Sequence, residues 1–61
     1  LGIPTWVNFI AQDEDGSLWG FESKPSMLDH SWDSNEGGTW FIKSDPSNEN
    51  WMDTLIEINK N

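Results

Sequence analysis

Thr5-Trp6-Val7-Asn8-Phe9-Ile10-Ala11-Gln12, Asp13-Glu14-Asp15-Gly16 and Ser17-Leu18-Trp19-Gly20-Phe21-Glu22-Ser23-Lys24, closed by Pro25, form the stretch that decides the fold. Two runs rich in β-branched and aromatic residues flank a turn that ends in Asp-Gly, which predicts a β-hairpin. Side chains alternate along a strand, so Val7, Phe9 and Ala11 are expected on one face and Trp19 and Phe21 on one face of the partner. Superimposed, these faces make the main wall of a core.

Outward from the hairpin the pattern is less regular. Met27-Leu28-Asp29-His30-Ser31-Trp32 reads as a short strand or an irregular loop, and Asp33-Ser34-Asn35-Glu36-Gly37-Gly38 is turn chemistry. Thr39-Trp40-Phe41-Ile42-Lys43 reads as a further strand, which Ser44-Asp45-Pro46-Ser47-Asn48 breaks. In the tail, Trp51, Leu55 and Ile58 recur at helical spacing, and Asp45, Glu49, Asp53 and Glu57 would form an acidic helical stripe. Asn48, Asn50, Thr54 and Asn59 are weak helix formers, however, and Thr54, Ile56 and Ile58 alternate as in a strand. The expectation is a helical turn over 48–53 and then a short closing strand. The fold class is all-β, or a small α+β variant of it. It is read as an SH3-like small barrel or an antiparallel sheet of four to five strands, with one short helical turn near the C-terminus.

The 61 residues are read as a single acidic domain, 1–61, because a chain this short cannot hold two cores. Without cysteine, disulfides and thiolate zinc sites are excluded, and His30 alone makes no imidazole cluster. No cofactor and no metal are expected. No apolar run approaches the roughly 18 residues of a membrane helix. A net charge of −8, with three lysines and no arginine, argues against nucleic acid as a direct ligand and against anionic membranes. The apolar fraction is only 34%, a level that with such charge would favour disorder. Five tryptophans and three phenylalanines reverse that reading, since each buried ring removes roughly 150–250 Å² from water. The sequence thus describes an acidic mini-domain with an aromatic core.

Around Asp13-Glu14-Asp15-Gly16 a calcium loop would place Leu18 and Glu22 at suitable positions, but Ala11 falls where the first aspartate is needed. A solvated hairpin turn is the expected reading. Asp29-His30-Ser31-Trp32-Asp33 holds the residue types of a nucleophilic site, crowded on one irregular segment. Eleven carboxylates offer acid/base pairs, yet so small a domain has little room for a substrate cleft of about 300 Å³ or more. No catalytic residue is assigned. The five tryptophans cannot all be hidden in so small a core, and Trp32, in the least regular region, is the expected exposed anchor. Asp13, Glu14, Asp15, Trp32, Asp33 and Glu36 are therefore the candidate partner-binding residues.

Trp6-x-x-x-Ile10-Ala11-x-Asp13-x-Asp15-Gly16, then Phe21-Glu22-x-Lys24-Pro25 and a late Trp51-x-Asp53-x-Leu55, resembles small acidic proteins encoded by tailed bacteriophages and prophages, over residues 6–55. Asp45-Pro46-Ser47-Asn48 before the last element is also similar to the proline-serine-asparagine step of SH3 domains. The tyrosines and the adjacent tryptophan pair of an SH3 peptide groove are missing, so proline-peptide binding is not expected. The phage resemblance implies an origin, not a mechanism. Such proteins often bind and block a host protein that handles nucleic acid and carries a basic groove. Leu1-Gly2-Ile3-Pro4 is too short to read as a signal peptide. The resulting expectation is a non-enzymatic protein-binding module in the host cytoplasm, a phage-encoded DNA mimic that inhibits a host nucleic-acid-handling protein through an acidic surface with an aromatic anchor. The alternative is a structural or accessory phage protein that self-associates through its spare tryptophans.

Overall fold

The computed structural model describes residues 2–58. The expected hairpin forms from β1 (Phe9–Gln12) and β2 (Ser17–Phe21). Phe9 lies opposite Phe21 and Ala11 opposite Trp19, so these four side chains share one face, as their alternation requires. At the turn, Gly16 N–H donates to the Asp13 carbonyl (2.9 Å) and Asp13 N–H to the Ser17 carbonyl (2.9 Å). Gly16 adopts φ +98°, and a Cβ there would overlap the Asp45 carbonyl. Dihedral and space therefore both demand glycine.

The strands are shorter than the sequence suggested. Val7 N–H donates to the Pro4 carbonyl (3.1 Å), so Thr5 and Trp6 form a turn and β1 begins only at Phe9. This also corrects the face assigned to Val7. A Cβ on Gly20 would collide with the Val7 methyls, and Gly20 presents the face opposite Trp19 and Phe21. Val7, only 1% exposed, therefore seals the reverse side of the sheet, and Trp6 lies close against Gly38. On the other side Ala11, Phe21 and Trp51 are buried, whereas Phe9 and Trp19 are half-buried.

The ambiguous middle folds into a second, minimal hairpin. β3 (Ser26–Met27) pairs antiparallel with β4 (Trp32–Asp33), and Leu28 N–H donates to the Ser31 carbonyl (2.7 Å) at the bend. β5 (Thr39–Ser44) fulfils the third strand prediction. A single 3-10 turn (Trp51–Asp53) precedes β6 (Ile56–Glu57), the turn-then-strand order expected of the tail. One turn is too short to align Asp45, Glu49, Asp53 and Glu57, and the acidic helical stripe does not form. The main sheet is antiparallel with order β5-β2-β1-β6, beside the two-stranded β3-β4 sheet. The molecule is thus a small all-β protein, in the antiparallel-sheet form of the expected class. Among the described residues, no helix is long and apolar enough to cross a membrane.

β5 carries an irregularity. Lys43 faces Leu18 while Phe41 faces Trp19, which leaves Ile42 as an extra residue on the outer strand. At the opposite edge, a polar hub replaces missing strand pairing. Thr54 Oγ accepts from Gln12 N–H (2.9 Å) and lies 2.7 Å from the Trp51 carbonyl, to which it donates. The buried Gln12 side chain donates to the Gly16 carbonyl (3.0 Å) and accepts from Asn48 Nδ2 (3.1 Å). The Gln12 side-chain amide thus links the hairpin tip to the C-terminal segment.

Phe21→Ala is expected to cost about 3–5 kcal/mol, enough to unfold a domain of this size, because the ring is fully buried. Phe9→Ala should cost less. Urea melts followed by tryptophan fluorescence give the order; equal losses would contradict the burial difference. Thr54→Val leaves Gln12 N–H without its acceptor and should cost about 1–3 kcal/mol in the same assay.

Candidate functional site

The hairpin tip is a set of carboxylates that hold backbone as well as charge. Asp13 Oδ1 accepts from Trp32 N–H at 2.8 Å, which fastens β4 to the end of β1. Beside it, Glu14 N–H donates to the His30 carbonyl (3.1 Å), and Glu14 Oε1 meets His30 Nδ1 at 2.7 Å. Asp15 Oδ1 accepts from both the amide (2.9 Å) and the hydroxyl (2.7 Å) of Ser17. The Ser17 hydroxyl in turn accepts from Trp19 Nε1 at 3.2 Å, which fixes the indole orientation. His30, adjacent to Ser31 in sequence, thus has its carboxylate partner in Glu14, across the hairpin interface.

These contacts set the electrostatics. Burial pushes the Asp13 carboxyl above the usual aspartate range. The bond from Trp32 opposes that shift, and the negative charges of Asp15 and Asp33 add to it. Asp15 moves the other way, held down first by the Ser17 hydroxyl and then by the Ser17 amide. Of the described lysines, Lys43 is paired with Asp45 at 3.3 Å, and no ion pair reaches Asp13, Asp15 or Asp33.

Between the two hairpins lies an open cleft of about 270 Å³. Trp19, Phe21 and Trp32 supply its aromatic lining, Asp13 and Asp33 its carboxylates, and Leu28 an aliphatic side chain. Five of the six sequence-derived candidates, Asp13, Glu14, Asp15, Trp32 and Asp33, therefore gather at one end of the molecule. Glu36 does not join them; it lines a neighbouring groove of about 530 Å³ with Asp33 and Lys24. Trp32 is corrected in a different respect. It is half-buried, edge-on to Trp51 with ring centroids 6.4 Å apart, and its Nε1–H donates to the Trp51 carbonyl (3.3 Å). The irregular segment carrying it is docked by Asp13, so its ring forms a wall of the cleft rather than a free anchor. The more exposed aromatics are Trp6 (38%) and Phe41 (47%).

Trp19 and Phe21 were legible only as core wall; Phe21 stays buried beneath the cleft, and only the half-buried Trp19 is left partly open to it. Among the described residues, no group of three or more histidines and acids is placed to hold a metal ion. No family model, curated protein or solved structure matches the chain.

The opposite shifts of Asp13 and Asp15 predict a two-sided pH profile. A carboxyl raised on folding opposes the fold once ionised, so the Asp13 contribution grows as pH falls through its folded pKa. Asp15 stabilises above the ordinary aspartate value, about 3.9, and that contribution is lost as pH falls below it. Stability should therefore rise from pH 7 toward mildly acidic conditions and fall again below about pH 3.9. Asp13→Asn, which keeps an acceptor for Trp32 N–H, should raise stability at pH 7 and flatten the upper limb. An unchanged upper limb in urea melts across the pH range would contradict this assignment.

Proposed function

We propose that the chain is a non-enzymatic protein-binding module that docks its hairpin-tip face on a basic surface of a host protein that handles nucleic acid, and inhibits it by occupying that surface. The observation that carries this reading is the gathering of Asp13, Glu14, Asp15 and Asp33 at one end, where the one ion-pair contact of these four among the described residues is that of Glu14 with His30. A net charge of −8 gives long-range attraction toward a basic groove. The phage resemblance supports a host target in the host cytoplasm. The modest cleft volume favours recognition of a protein surface over turnover of a small substrate.

A tagged chain used to isolate a partner from bacterial lysate, followed by stopped-flow association with that partner, tests the reading. Association should slow steeply as salt rises through the range in which the Debye length falls from about 10 Å to about 3 Å. Glu14→Gln with Asp15→Asn should lower the association rate more than it raises dissociation. The isolated domain should respond in the opposite sense and gain thermal stability from the same salt, because its own carboxylates repel one another. A partner whose affinity ignores both salt and the double neutralisation would rule out the acidic face as the docking surface.

A second reading, self-association as a structural or accessory protein, is favoured by Phe41 and Ile56, exposed on the two edge strands. Sedimentation velocity over a wide concentration range separates the two: a monomer throughout eliminates self-association.

A further inference from the structure

We infer that the cleft between the hairpins is a receptor for one arginine side chain of the partner, its guanidinium lying beside the half-buried Trp19 and Trp32 rings and facing Asp13 and Asp33. This inference rests on the docking reading above and names the chemistry of its anchor. Size is the first argument. At about 270 Å³ and open to solvent, the cleft falls below the roughly 300–1,000 Å³ of small-molecule pockets and suits a single inserted side chain.

Composition is the second argument. Aromatic rings beside carboxylates attract a flat organic cation in two ways at once, through the ring faces and through charge. A guanidinium is planar, more weakly hydrated than an ammonium, and stacks on aromatic faces, so it loses less on leaving water. Asp13 has one oxygen committed to Trp32 N–H and retains the other. The Asp33 carboxylate is in no ion pair among the described residues.

The third argument is the unrelieved charge. Asp13 is partly buried near two other negative groups, an arrangement a cation in the cleft would relieve. The chain has no arginine of its own, and Lys43 is held by Asp45. Lys24 lines the adjacent groove with Asp33 and Glu36, outside the cleft lining.

The test uses the whole chain and three probes: N-acetyl-arginine methylamide, its lysine counterpart, and its neutral citrulline counterpart. Binding is followed by the indole N–H signals of Trp19 and Trp32 in heteronuclear NMR at constant ionic strength. Arginine should give saturable shifts of both indoles, lysine should bind more weakly, and citrulline should leave them unmoved. Asp33→Asn should weaken arginine binding by about three- to tenfold, in keeping with loss of one charge-assisted contact. Because Asp33 is exposed and its side chain makes no hydrogen bond or ion pair among the described residues, the amide spectrum of the variant should otherwise match wild type. Trp32→Phe, which keeps a ring, should retain part of the affinity.

Equal shifts from arginine and citrulline, shifts that sodium chloride reproduces, or shifts confined to the Lys24 and Glu36 groove would each overturn the proposal. The two levels of inference fail separately. A salt-sensitive partner indifferent to Asp33→Asn refutes the arginine seat and leaves acidic docking standing. Saturable, Asp33-dependent arginine binding without any salt-sensitive protein partner supports the seat and refutes the docking reading.

Discussion

The bond from Trp32 N–H to the Asp13 carboxylate is the contact on which the remaining architecture turns. A two-residue strand pair such as β3-β4 has too few hydrogen bonds to persist alone. Asp13 gives it a fixed point on the main sheet, and the Glu14 amide adds another at His30. Trp32 then reaches Trp51, and the aromatic cluster on that side is complete. The same bond carries an electrostatic cost, since it draws a carboxylate out of water near Asp15 and Asp33. Charge is thus concentrated at the hairpin tip because the chain uses a carboxylate, rather than a larger apolar core, to fasten its second hairpin.

The sheet has two thin cores in place of one thick core. Phe21, Ala11 and Trp51 serve one side; Val7, folded over Gly20, serves the other. This division suits a chain poor in apolar residues, because each face needs only a few large side chains. Polar links complete the seal. Thr54 satisfies the Gln12 amide at the outer edge of β1, beyond the two paired residues of β6, while the Gln12 side chain serves the Gly16 carbonyl and is itself met by Asn48. Among the described residues, no buried side-chain nitrogen or oxygen is left without a hydrogen-bond partner, as a marginal fold requires.

Local signals were readable and long-range ones were not. Asp15-Gly16 and the flanking alternation predicted the hairpin because turn and register are set by neighbours in sequence. The tail was readable for the same reason: Asp45-Pro46 breaks β5, and weak helix formers limit the next element to one turn. Val7 was misplaced because the turn closed by Pro4 delays the start of the strand to Phe9, a backbone bond that alternation does not encode. Trp32 was misjudged as free because its partners, Asp13 and Trp51, lie 19 residues away on either side. The acids were individually legible as a charged surface. Their union with Trp19 and Phe21 in one cleft was not, since it arises from the packing of two separate hairpins.

The extra residue at Ile42 bears on what happens when many copies of the chain meet. β5 is an outer strand rich in apolar side chains, the type of edge that elsewhere templates the growth of fibrils. Stacking of identical strands requires an even ladder with matching pleats. The displaced register between Phe41 and Lys43 breaks that ladder partway along, and each added copy would repeat the mismatch while bringing another eight units of negative charge. The bulge therefore works against open-ended stacking on this edge, as a chain terminator does in a growing polymer, while leaving the aromatic strand at the rim.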